Sequence, residues 1–347
     1  MPASERRAAG WRGFFRVTAL AAIVPTLVLF LFAATIDPWD ALLFSPKLPR
    51  VPVTTSARYS FPMLARRAQV DSVVIGTSTS RLLRPEVLDP LFKARFVNLS
   101  INAATAYEET RLLDVFVAAH ARPRFILLGL DLDWCDARPE ARYTEYPFPE
   151  WLYDPPGWNG YTQLLNLYAM QESGSQLWAM LGLKPARYPL DGYTDFRVPE
   201  DQYNVTRAHE HIIAAGTAPG PLDLNVPEAD YVFPTHHRLK RALAMMPEVT
   251  HKILFFVPFI VPYQGADGSV TRAYWAECKR RVVSMARAGH NIAVVDFMIS
   301  SPITREESNY YDAIHYRPAV ADRLAADLAS VAAGATSQNA DFKVLSE

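Results

Sequence analysis

From Val17 to Ile36 the chain runs for 20 residues without a charge, most of them Ala, Val, Leu, Ile or Phe. At about 1.5 Å per residue a helix of that length covers roughly 30 Å, the thickness of a bilayer's hydrocarbon core. Pro25 sits inside the run, which membrane helices tolerate better than soluble ones. Arg6, Arg7, Arg12 and Arg16 precede it, and Asp37 and Asp40 follow. The positive-inside rule then predicts a cytoplasmic N-terminus, with everything after about residue 37 outside. A cleavable signal peptide is the other reading, but its apolar core is usually only about 7–15 residues. The best cleavage candidate here, around Ala33-Ala34-Thr35, is poor. The expectation is a single-pass signal anchor in the inner (plasma) membrane, with the C-terminal domain periplasmic or otherwise extracytoplasmic.

The remaining sequence has few features of a non-globular chain. The full chain carries 35 Lys+Arg against 36 Asp+Glu, a formal charge of −1, so it lacks the basic surface that nucleic-acid binding needs. Half the residues are hydrophobic and Gly is ordinary in number, which excludes collagen and wholesale disorder. Two cysteines, Cys135 and Cys278, are too few for a disulfide scaffold. An oxidising compartment would let them pair. Nothing in the sequence brings them together, however, and two buried free thiols is an equal reading.

Five short apolar runs recur beyond the anchor, at 70–76, 96–101, 124–132, 252–260 and 291–298. They are rich in Val, Ile, Leu and Phe with little alternation, as parallel strands buried on both faces are. Helical patterns fall between or after them, at 105–120, 270–288 and 318–333, the last opening on a proline. This predicts an α/β three-layer sandwich with a mostly parallel five-stranded sheet. The expected organisation is a cytoplasmic N-terminus (1–16), a transmembrane helix (17–36) and a lead-in (37–69). An α/β domain (70–333) and a frayed polar tail (334–347) complete it. An insertion at 134–235 interrupts the domain; it holds 12 of the 27 prolines and Trp134, Trp151, Trp158 and Trp178. Its aromatic residues either form a stacking platform for sugar rings or a small core of their own.

Ligands in such sheets bind at the carboxyl ends of strands. The first run leads into Gly76-Thr77-Ser78-Thr79-Ser80-Arg81, which offers a hydroxyl there. A serine needs a base to act as a nucleophile. Asp312-Ala313-Ile314-His315, after the fifth run and before the last helix, provides an imidazole with an aspartate three residues back to orient it. His209-Glu210-His211 and His236-His237 lack the HExxH spacing of a zinc site, so no metal and no cofactor are expected. Asn204-Val205-Thr206 has the form of a glycosylation acceptor, which also arises by chance.

These blocks resemble the SGNH/GDSL hydrolase superfamily, a flavodoxin-like fold. Gly76-Thr77-Ser78 matches its first block and Asp312-x-x-His315 its last. Asn98-Leu99-Ser100-Ile101-Asn102-Ala103 is similar to the second, with Ala103 where the family has a glycine whose amide serves the oxyanion hole. The third block, normally Gly-x-Asn-Asp, reads Gly129-Leu130-Asp131-Leu132, so Asp131 replaces an oxyanion-hole asparagine. An ionised carboxylate there would repel a developing oxyanion, and one such donor is typically worth roughly 3–4 kcal/mol. Asn102 taking over as donor, a hole of two backbone amides, and weak activity all stay open. An α/β-hydrolase elbow is a lesser reading, because in that fold several strands precede the serine.

The resemblance is closest to membrane-anchored members that act in alginate O-acetylation and teichoic acid D-alanylation. It implies an extracytoplasmic serine esterase or O-acyltransferase with Ser78, Asp312 and His315 catalytic. Ala103, Asn102 and Asp131 would line the oxyanion or substrate site. The implied partners are a cell-surface polysaccharide or other acyl-ester substrate and a membrane-bound O-acyltransferase. The alternative is a degenerate SGNH domain that binds polysaccharide or scaffolds that acyltransferase. A small-molecule lipase or thioesterase is a third reading.

Overall fold

The computed structural model describes residues 3–138, 148–335 and 340–345, with side chains from Trp11 onward. In chain order the elements are α1 (Ala3–Ile36), α2 (Ala57–Ala65), β1 (Ser72–Ile75), α3 (Pro85–Phe92), β2 (Phe96–Asn98), α4 (Ala106–Ala119) and β3 (Phe125–Leu130). Then follow α5 (Leu132–Cys135), α6 (Glu150–Tyr153), α7 (Asn159–Thr162), α8 (Leu167–Met180), α9 (Val205–Ala215) and α10 (His236–Met245). The chain closes with β4 (His251–Phe256), α11 (Val270–Arg287), β5 (Ile292–Asp296), α12 (Pro318–Ala332) and β6 (Lys343–Val344).

These elements group into two compact units. One comprises residues 1–55 with 150–187, the other 56–149 with 188–347.

In the first unit, Trp11–Ile36 of α1 is long and apolar enough to cross a membrane and is almost wholly exposed. Arg50 closes its carboxyl end: its guanidinium donates to the carbonyls of Ile36 (2.7 Å) and Thr35 (3.4 Å) and to Asp40 (2.9 Å). A cation there meets the unpaired carbonyls and negative dipole end of the helix. Trp39 packs edge-on against Trp151 and stacks on Tyr168, and its indole N–H donates to Thr54.

The second unit holds the sheet, ordered β2-β1-β3-β4-β5-β6. The first five strands are parallel, and their apolar side chains are largely buried, as coverage by helices on both faces demands. The sheet has six strands where five were expected. β6 runs antiparallel to β5, with Val344 opposite Val295. The frayed-tail expectation therefore fails at 340–345: Phe342 is buried against Phe297, and Asp341 pairs with Arg323. Cys135 and Cys278, 143 residues apart, form a disulfide with their Cα atoms 5.7 Å apart, which resolves the two readings of these thiols. It joins α5, just after β3, to the middle of α11.

Candidate functional site

The strand order reverses between β1 and β3, and the loops after those strands meet at the sheet's carboxyl edge. β1 ends at Ile75 and turns at Gly76 into the Ser78 loop. Close approach fixes the glycine: a Cβ on Gly76 would fall on the Ser80 side chain, and so would one on Gly129 of the neighbouring β3. The two glycines make the space that Ser80, itself fully buried, occupies. Asn98, the last residue of β2, holds the other side of the turn. Its amide donates to the carbonyls of Ser80, Arg81 and Leu83 at 3.1, 3.3 and 2.7 Å, while its oxygen accepts from the Ser100 amide at 3.0 Å.

His315 arrives on the short loop before α12. Tyr310 and Tyr316 form an antiparallel bridge across that loop, and the Tyr311 amide donates to the His315 carbonyl. Within it Asp312 turns back on its own backbone, Oδ1 accepting from the Ile314 and His315 amides at 2.9 and 2.8 Å. Its other oxygen lies 2.6 Å from His315 Nδ1, and His315 Nε2 lies 2.7 Å from Ser78 Oγ. With a carboxylate at Nδ1, that nitrogen carries the proton and Nε2 accepts from the serine hydroxyl. Burial pushes the Asp312 carboxyl upward, but the His315 hydrogen bond and charge, with the two amides, outweigh it and the net shift is downward. Tyr316 ties the two loops together, its hydroxyl donating to the Thr79 carbonyl at 2.7 Å.

The second-block residues lie on the turn after β2. Ala103 has φ 51°, the left-handed region that glycine enters freely and alanine rarely. Arg58, paired with Glu108, donates to the Ala103 carbonyl at 3.1 Å and fixes that peptide. The amides of Ser78 and Ala103 enter no backbone hydrogen bond among the described residues. Asn102 is half-buried, its side-chain oxygen without a partner among them.

Asp131, buried at the end of β3, accepts hydrogen bonds at Oδ2 from Thr77 and from Thr79 (3.1 Å), the residues flanking Ser78. That oxygen is an acceptor that steadies the Ser78 loop. Burial raises its carboxyl despite the two hydroxyls. Glu109 and Asp133 crowd it, with carboxylate oxygens of the three within 4.8 Å of one another. The Trp134 indole donates to Glu109 at 3.2 Å, yet burial and then the charges of Asp131 and Asp133 push Glu109 well up. Carboxylates so close raise one another's pKa, which favours the protonated form of buried Glu109.

Beside His315 and Asp312 opens a cleft of about 350 Å³ lined by Phe196, Tyr203, Arg207, His211 and Tyr311 among others. Residues 195–204, from the proline-rich stretch, form much of its wall: Phe196 meets the His315 ring edge-on at 5.6 Å, and Arg197 donates to the Tyr316 carbonyl. The histidines singled out elsewhere are separately engaged, His209 with Glu307 and His236 beside Cys278 and Phe233. Of the four insertion tryptophans, Trp134 is fully buried, Trp151 packs on Trp39, and Trp158 and Trp178 are exposed. Asn98 and Thr79 fall inside the sequence blocks singled out above but carry no role there, and Tyr316 is not among those residues. Only the position of Tyr316 directly after His315 could have drawn attention.

Fold and site together define a three-layer α/β protein with a hydrogen-bonded Ser-His-Asp constellation at the carboxyl edge of its sheet. No family model and no curated protein matches the chain. Among solved structures it is similar to a protein from Streptococcus pneumonia provisionally described as a platelet activating factor. The two share 11% identity and a TM-score of 0.40, over 80% of this chain and 90% of that one. It is also similar to a protein from Desulfitobacterium hafniense DCB-2, provisionally described as a lipolytic protein of the G-D-S-L family. Here identity is 13% and the TM-score 0.32, over 75% of this chain and 98% of the other. At that distance the likeness assigns neither activity nor substrate to this chain.

Proposed function

We propose that this protein is an SGNH-type serine esterase or O-acyltransferase, anchored by α1 and acting outside the plasma membrane. The supporting observation is the unbroken relay from Ser78 Oγ to His315 Nε2 (2.7 Å) and from His315 Nδ1 to Asp312 (2.6 Å). Ser78 Oγ attacks the ester carbonyl carbon as its proton passes to His315 Nε2, and Asp312 balances the imidazolium. The tetrahedral oxyanion is received by the Ser78 and Ala103 amides, with Asn102 beside them. Collapse expels the alcohol, which takes the proton from His315 and leaves Ser78 acylated. Water or a sugar hydroxyl, deprotonated by His315, then attacks that acyl-serine and frees Ser78.

Tethering favours a substrate held at the surface, a cell-surface polysaccharide or lipid-linked glycan, because anchoring raises its effective concentration. A membrane-bound O-acyltransferase would be the natural source of acyl groups. The test is turnover of a model acetyl ester by the full-length protein. Ser78→Ala should abolish it, a loss of at least about 10³-fold, with the circular dichroism spectrum unchanged. Undiminished turnover would remove Ser78 from the mechanism and leave a non-catalytic binding or scaffolding domain.

A further inference from the structure

The unit built from residues 1–55 and 150–187 carries an apolar surface that its own packing does not cover. From Pro155 to Leu183 the sole Asp, Glu, Lys or Arg is Glu172. That carboxylate is turned inward, 6% exposed and accepting from the Thr54 hydroxyl at 2.8 Å. The large side chains around it face outward instead: Trp158 is 70% exposed, Leu167 90%, Trp178 55% and Leu183 67%. Isolated exposed apolar residues are ordinary, but a charge-free stretch of this length presenting several together marks an interaction surface.

Its place on α1 identifies the occupant. The ring of Tyr161 in α7 lies 6.4 Å from that of Phe30, inside the membrane-crossing helix, and α8 packs against the same helix. Trp158 and Tyr161 are ring neighbours, Trp158 also meets Phe44, and the Tyr161 hydroxyl bonds both the amide and the carbonyl of Phe44. Trp11–Ile36 measures about 39 Å at 1.5 Å per residue, against roughly 30 Å of hydrocarbon. With Arg16 at the inner boundary, Phe30 lies about 21 Å along a hydrocarbon of roughly 30 Å, in its outer third just below the outer boundary, and Tyr161 of α7 meets the helix at that level. Trp and Tyr are the side chains that favour this boundary, apolar in body and polar at one end. Lys184 and Arg187, directly after the stretch, are exposed, Lys184 Nζ donating to Ser175 at 2.8 Å, and basic side chains suit the phosphate level above such a boundary.

We infer that residues 155–183 lie at the outer headgroup–hydrocarbon interface of the bilayer that α1 crosses, an interfacial platform with its exposed leucines and tryptophans in lipid. This rests on reading α1 as a membrane span, and does not depend on the catalytic assignment.

The full-length protein in nanodiscs of phosphatidylethanolamine and phosphatidylglycerol, its native disulfide intact, tests the inference. Spin labels on Leu27→Cys, Leu167→Cys and Leu183→Cys report collision with oxygen, which enriches in lipid, and with a water-soluble nickel chelate. The three native side chains are exposed, so these variants spare the core. The expected result is oxygen accessibility severalfold above nickel at all three positions, strongest at 27. Oxygen preference at 27 with nickel preference at 167 and 183 would put the stretch in water and overturn the platform while leaving the anchor. Nickel preference at all three would overturn the anchor reading with it. Shielding of 167 and 183 from both reagents would mean a protein cover in place of lipid, and would likewise overturn the platform.

Discussion

The Thr79 hydroxyl donates to Asp131 Oδ2 at 3.1 Å, and Thr77 donates to the same oxygen. One carboxylate at the end of β3 thus grips both neighbours of Ser78. The third-block resemblance puts Asp131 where an oxyanion-hole asparagine is expected, whereas its contacts are those of a residue positioning the Ser78 loop. Asp131→Ala should leave two buried hydroxyls without their acceptor, at about 1–3 kcal/mol, and lower kcat on a model ester about tenfold or more with KM little changed. Asp131→Asn keeps an acceptor oxygen and should retain most of the activity. Equal loss in both variants would mean that the charge, and not the grip, is what matters.

At Ala103 the left-handed φ of 51° makes backbone shape the deciding factor. Ala103→Gly should fold and turn over ester as the parent does, because glycine adopts this conformation freely while its added flexibility roughly offsets the strain relieved. Ala103→Val should lose about 1 kcal/mol of stability or more, and activity with it, because a β-branched residue is poorly tolerated there. Chemical denaturation and ester kinetics on the two variants check this.

Glu109 gives the stability a pH dependence of definite sign. Its folded carboxyl is held well above the ordinary value by burial and by Asp131 and Asp133, while the unfolded one ionises near the usual 4.5. Between those two values the native state binds the extra proton, so this group makes stability fall as pH rises. Glu109→Gln keeps an acceptor for Trp134 and removes the titration. It should therefore raise the melting temperature above that of the parent by an amount that grows from about pH 4.5 toward neutrality. A constant difference across that range would show Glu109 to be charged in the folded protein.

The sheet was largely legible in the sequence because strands buried on both faces leave uninterrupted apolar runs. Each of the five runs contains or overlaps a parallel strand, and the helices after 105, 269 and 317 begin within a residue of their expected starts. β6 left no trace, since two residues at a sheet edge have no periodicity, and the polar composition around them favours a loose tail. Ser78, Asp312 and His315 could be picked out because a serine just after the first apolar run and an Asp-x-x-His just before the last helix make a recognisable pair. The roles of Asn98 and Tyr316 could not, because each works by bonding a distant carbonyl, and any strand asparagine or loop tyrosine looks the same in sequence. The disulfide was unreadable for a related reason: only the packing of α11 near the end of β3 brings Cys278 to Cys135.

The central claim is that Ser78 is an activated nucleophile, and covalent capture tests it most directly. The full-length protein is treated with a fluorophosphonate, digested and analysed by mass spectrometry, alongside His315→Ala. The expected result is a single phosphonyl adduct on Ser78 in the parent, blocked by prior heat denaturation and lost in His315→Ala. Absence of that adduct, or equal labelling of Ser78 without the imidazole, would contradict the relay on which the proposed activity stands.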